Sequence, residues 1–150
     1  MGTTVRRSIT VHRPTSGVVE VATDPRVVLP IVGGLGRFEQ IDTDASGVGE
    51  WDLFLDVGSV HVGGRVVVER PDSSRLTWHS IRGTHHQLEL IVTPGEAAGE
   101  SVVTIAMSLQ LAGFFTGRVT ELLAAGIMAR HLEAGLQQLR HHLEFDALSE

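Results

Sequence analysis

At 150 residues and 42% hydrophobic, the chain has the length of one domain and enough apolar side chains to bury a core, so a single domain is expected over residues 1–150. A formal charge of −6, with all 12 basic residues Arg and none Lys, excludes a lysine Schiff base and argues against a nucleic-acid partner, which needs a concentrated basic patch. The absence of Cys excludes disulfides, thiolate nucleophiles and zinc–sulfur sites, a composition that fits a cytoplasmic protein.

Arg6 and Arg7 do not open a twin-arginine export signal, because Ser8 to Pro14 alternate and include His12 and Arg13 in place of an apolar core. They belong instead to a short alternating strand, Val5 to Val11, with Ile9 and Val11 on one face and Pro14 as its stop. Thr15 or Ser16 can cap a short helix, Gly17 to Ala22, and Asp24-Pro25 starts a second one, Arg26 to Val32. This second helix contains Pro30 and runs into Gly33, Gly34 and Gly36, so it should be brief. After it come Phe38 to Thr43, the turn Asp44 to Gly47, and Glu50 to Val57, where Trp51, Leu53, Leu55 and Val57 share a face.

The middle of the chain is a series of hairpins. Val60, Val62, Val66 and Val68 alternate with His61, Arg65 and Glu69; Pro71 to Ser74 reverses the chain; Leu76, Trp78 and Ser80 begin the next strand. Gly83 and Thr84 lead to Leu88, Leu90 and Val92, and Pro94 to Gly99 turns into Val103, Ile105, Met107, Leu109 and Leu111. The uncharged run Ser101 to Gly117 is no transmembrane segment, since Ser101, Thr104, Ser108 and Gln110 alternate with its apolar residues. Beyond Gly113 the chain enters one long helix, with Leu122, Ala125, Ala129, Leu132, Leu136, Leu139 and Leu143 stepping by three and four. About seven strands joined by short turns make an antiparallel sheet, and only the terminal helix is long enough to cover it. The expected fold class is α+β.

The opening IxVxRP (Ile9, Val11, Arg13, Pro14), the apolar helix leading to Thr23-Asp24-Pro25, the LTWHS segment Leu76 to Ser80, and the strand–Gly–long-helix ending resemble the SRPBCC superfamily. Within it, the chain looks most like the polyketide cyclase/dehydrase and lipid transport branch, relatives of START domains. The resemblance covers nearly the whole chain and rests on apolar patterns rather than catalytic signatures. It implies a helix-grip fold: a curved antiparallel sheet wraps the C-terminal helix, two short helices after strand one close one end, and a cavity between sheet and helix takes a hydrophobic small molecule.

The residues themselves leave room for such a cavity, because the helix places Ala125, Gly126 and Ala129 on its inner side. An interior Gly costs about 1 kcal/mol relative to Ala. Gly126 and Gly135 project about 180° apart, so only Gly126 faces inward, serving either ligand space or close helix–sheet packing. The residues expected to line the ligand are Trp51, Leu53, Trp78, Ser80, Leu90, Met107, Leu109, Leu122, Gly126, Ala129 and Glu133. A one-residue slip would bring Arg65, His61, His79 and Arg82 inward instead. For Glu133 the alternative is a salt bridge with an Arg at the cavity mouth.

Catalytic signatures are missing. None of the eight His shows HExxH or another paired-ligand spacing, so no metal site is expected; His85 and His86 should point to opposite faces of a strand. Gly34 and Gly36 begin a GxGxxG, but Glu39 stands where the third Gly belongs. No Ser sits in a GxSxG elbow, and no cofactor is expected. The first half of the long helix, Val119 to Ala129, is apolar nearly all round, with Leu123, Ile127 and Met128 outside the core stripe. Its cover would come from the short helices or from a homodimer partner. Two functions fit this chain: binding an apolar small molecule for carriage or sequestration, or acting as a polyketide cyclase, aromatase or dehydratase by general acid–base catalysis in the same cavity.

Overall fold

The computed structural model describes residues 3–33, 37–57, 60–110 and 118–146. The expected helix stop at Gly34 and Gly36, the strand end at Leu111, the link through Gly113, and the side chains of Val57, Val60 and His61 lie outside the described residues.

β1 (Thr3–Val11) buries Val5 and Val11 and turns Thr4, Arg6, Ser8 and Thr10 outward. Pro14 ends it, and the Pro14 carbonyl accepts the first amides of α1 (Thr15–Ala22). Asp24 accepts the Arg26 amide at 3.0 Å and so caps α2 (Pro25–Gly33), whose first residue is a proline that has no amide to satisfy. Six further strands follow: β2 (Arg37–Thr43), β3 (Gly49–Val57), β4 (Val60–Asp72), β5 (Arg75–Gly83), β6 (His85–Pro94) and β7 (Ser101–Gln110). Every pairing is antiparallel, in the order β1-β7-β6-β5-β4-β3-β2. The expected antiparallel α+β fold is therefore the one observed.

The sheet is bent where β4 meets β5. Val66 pairs with Ser80, but Arg65 pairs with Arg82, which leaves Ile81 as an extra residue, 52% exposed. Close approach at this bulge requires glycine: Gly64 and Gly83 have φ of 138° and 92°, and a Cβ on Gly64 would collide with the Arg82 carbonyl. The curvature cups α3 (Arg118–His141), which runs closest to β1, packs on α2 and reaches β3 and β4 with a few residues. α1 covers β6 and β7.

The buried line of α3 comprises Ala124, Met128, Ala129, Leu132, Leu136 and Leu139 and continues to Leu143 in a widened π turn, His142–Asp146. From Ala129 onward this is the expected stripe. Before it the phase differs: Met128 is buried, whereas Leu122, expected inside, is 65% exposed. This half of the helix is apolar on most sides, so hydrophobic contrast along it does not single out one face. The chain ends are tied together at the π turn, where the Glu144 carboxylate accepts the His12 amide at 2.8 Å and the Arg13 guanidinium donates to the Glu144 carbonyl.

Candidate functional site

The concave face brings together most of the residues expected to line a ligand. Trp51, Trp78, Met107 and Ala129 are 3%, 1%, 0% and 7% exposed, and Leu53, Leu90 and Leu109 are buried with them. A water-sized sphere therefore reaches almost none of this surface. Among the described residues these side chains belong to one packed core cluster. Trp51 also spends its indole N–H locally, donating to the Gly47 carbonyl at 2.8 Å.

Two expected residues lie elsewhere. Leu122 is exposed, as described above. Glu133 points to the edge of the sheet and accepts from Arg7 Nε at 2.8 Å, with both side chains about half exposed, so this acid takes the salt-bridge role. Gly126 is half-buried, and a Cβ built on it would meet no heavy atom within 4 Å. Gly135, by contrast, lies against α2, with the Ile31 carbonyl 3.7 Å from its built Cβ. Of the residues that a register slip would have turned inward, His79 and Arg82 are exposed, and Arg65 forms a two-point pair with Asp52 at 2.9 and 3.2 Å. The Arg65 guanidinium holds the Asp52 carboxyl below the usual carboxylate range.

The most unusual chemistry lies at the end of the β5–β6 hairpin. The backbone ladder runs from Arg75↔Ile91 to His79↔Gln87, and there the strands part. In place of the next ladder bond, the His86 amide donates to Ser80 Oγ at 3.1 Å. Alternation turns His86 inward beside Leu88 and leaves His85 exposed, as their adjacency predicts. The His86 side chain is 4% exposed. Its Nδ1 accepts from Trp78 Nε1 at 3.3 Å, while its Nε2 is buried with no hydrogen-bond partner among the described residues. Burial pushes its pKa from the usual 6.5 down to about 4, so the ring is neutral near pH 7. Because Nδ1 accepts, the single ring proton sits on Nε2. The result is a buried N–H donor without an acceptor among the described residues. Arg13 and Arg75 also leave a buried Nε unmatched, but Arg13 bonds through its other nitrogens and Arg75 lies near Asp72 and Glu89.

His86 forms part of the wall of a depression of about 590 Å³ at this end of the sheet. Ser80 and Leu109 come from the expected set, and the outward-facing Thr4, His79, Gln87 and Ser108 line it together with His85 and Gln110. The volume is within the range of small-molecule sites. Among the described residues, no Arg, Asp or Glu lines it. Among the described residues, too, no cluster of His, Asp or Glu is arranged to hold a metal ion, and no helix is long and apolar enough to cross a membrane.

The sequence matches the family described as polyketide cyclase / dehydrase and lipid transport over residues 2–144. Among solved structures, TTHA0849 from Thermus thermophilus aligns with a TM-score of 0.79 at 16% identity, covering 99% of this chain and 100% of that one. The Zhui aromatase/cyclase from Streptomyces sp. R1128 aligns at 0.72 and 14% identity, covering 97% and 98%. A START superfamily protein from Mycobacterium smegmatis aligns at 0.64 and 12% identity, covering 91% and 98%. A search of curated proteins gave no match. At such identities the structural likenesses establish a shared fold and leave the chemistry to each site. The family match, in contrast, extends from β1 into the π turn that closes α3, and the chain belongs to the polyketide cyclase/dehydrase and lipid transport family, with the START-related helix-grip fold.

Proposed function

We propose that this protein binds a largely apolar small molecule, for carriage or sequestration, with an oxygen of that molecule against His86. The observation that carries the reading is the buried Nε2–H without an acceptor among the described residues. Leaving such a group unmatched costs about 1–3 kcal/mol, which a ligand oxygen would recover. The apolar body of the ligand would rest on Leu109 and, deeper, on Leu88 and Trp78. Affinity would come from apolar burial at about 25 cal/mol per Å², with His86 setting orientation.

The cyclase, aromatase or dehydratase alternative draws on the likeness to an aromatase/cyclase. It needs a base, and the inward-facing His86 has its lone pair directed at Trp78. Carriage is the better fit to that geometry.

Native mass spectrometry of the protein purified from its own host tests the reading. A bound apolar compound should persist in Glu133→Ala, which lies outside the depression, and be depleted in His86→Leu. Protein that carries no compound and takes up none from a host lipid extract would refute it.

A further inference from the structure

We propose that His86, a donor fixed in one tautomer by Trp78, selects ligands with an uncharged oxygen acceptor, such as a ketone, ester, amide or alcohol, and discriminates against carboxylates. This inference rests on the reading of a ligand held at His86. Three features of the site support it. The tautomer is set by Trp78, whose Nε1–H occupies Nδ1 at 3.3 Å and leaves Nε2 as the only ring nitrogen that can meet a ligand. The main chain that carries the ring is also anchored, because the His86 amide bonds Ser80 Oγ across the hairpin. Finally, the described walls of the depression supply no Arg: they are Thr, Ser, His, Gln and Leu, and Arg6 lines the adjoining groove, which shares Thr4, His79, Gln87 and Ser108 with the depression and carries Glu89 as well.

A carboxylate entering this site would give up its water for the His86 N–H and other neutral donors, with no Arg to balance its charge, a poor exchange. A carbonyl oxygen needs little more than that one bond. The same geometry denies His86 the role of proton acceptor, since a base must offer a lone pair to the substrate and this ring offers its lone pair to Trp78. Trp78 is then a positioning residue that acts on the ligand through His86.

Three probes with one aromatic frame test the proposal: 2-acetonaphthone, its hydrocarbon isostere 2-isopropenylnaphthalene, and 2-naphthoate. Their binding to the full chain is followed by fluorescence at neutral pH in the native sequence, His86→Leu and His86→Gln. The preference for the ketone over the hydrocarbon should fall about fivefold in His86→Leu, the equivalent of one hydrogen bond of about 1 kcal/mol. His86→Gln, whose amide N–H can stand in for Nε2–H, should retain most of it, and naphthoate should bind weakest. The infrared C=O stretch of bound acetonaphthone should move to lower frequency in the native protein, a readout that needs no variant. An unshifted C=O stretch, an unchanged preference in His86→Leu, or naphthoate binding as tightly as the ketone overturns the proposal. Tight hydrocarbon binding without ketone preference would overturn it while leaving the ligand site intact; failure of all three probes to bind would remove the site as well.

Discussion

Acidification should unfold this protein more readily through a single imidazole. Burial lowers the folded pKa of His86 to about 4 from the usual 6.5. Between those values the unfolded chain binds a proton that the folded chain refuses, so the group's contribution is complete above pH 6.5 and is lost as the pH falls toward 4. The gap corresponds to about 3 kcal/mol at its limit, and about 2.5 kcal/mol should be gone on moving from about pH 7.5 to about pH 4.5. Urea denaturation at both pH values, on the native sequence and on His86→Gln, isolates this contribution, because Gln has no charge to gain. Asp44, Asp52 and Asp72 also have lowered pKa values, through hydrogen bonds to Ser46, Arg65 and Ser74, but they are common to both proteins and cancel. The native protein should lose about 2.5 kcal/mol more than the variant. Equal losses, within about 0.5 kcal/mol, would show that His86 ionises freely and would refute its burial as a neutral donor.

Gly126→Ala should raise stability by about 1 kcal/mol, since the added Cβ meets nothing within 4 Å and the helix gains a better former; a loss in urea denaturation would mean that the helix needs that space. Gly64→Ala should lower stability by at least about 1 kcal/mol, because φ of 138° is strained for Ala and the new Cβ strikes the Arg82 carbonyl. A neutral thermal shift there would indicate that the bulge at Ile81 can relax. Leu136→Ala, deep under the sheet, should cost about 2–5 kcal/mol by chemical denaturation, and a cost under about 1 kcal/mol would place that side chain outside the packed core.

The strands are legible in the sequence because each alternates apolar and polar residues and is bounded by a turn with its own chemistry. Asp44, for example, accepts the amides of Ser46 and Val48 in the turn that its sequence announces. The second half of α3 is equally plain, since Glu133, Gln137 and Gln138 contrast with Leu132, Leu136 and Leu139. The first half carries no such contrast, and Met128 and Leu122 exchange places relative to the expected stripe. The candidate site is harder to read. Parity with Leu88 and Leu90 marks His86 as inward-facing. Its importance, however, comes from Trp78 and Ser80 across the hairpin, and that partnership depends on where the ladder breaks beside the Ile81 bulge. A bulge shifts the pairing count by one, and the alternation pattern gives no sign of it.

The adjacency of β1 and β7 has a consequence for biosynthesis. During translation, β1 emerges first and must wait for every intervening hairpin before its sheet neighbour is made. Pairings so distant along the chain slow folding, because loop closure has to precede the contacts that reward it. The hairpins from β2 to β6 can assemble locally in the meantime, while β1, with Val5 and Val11 still uncovered, stays open to chaperones or to mispairing. Refolding of this protein should accordingly be limited by the docking of its N-terminal strand, and the α3 clasp at Glu144 would form in that same late step.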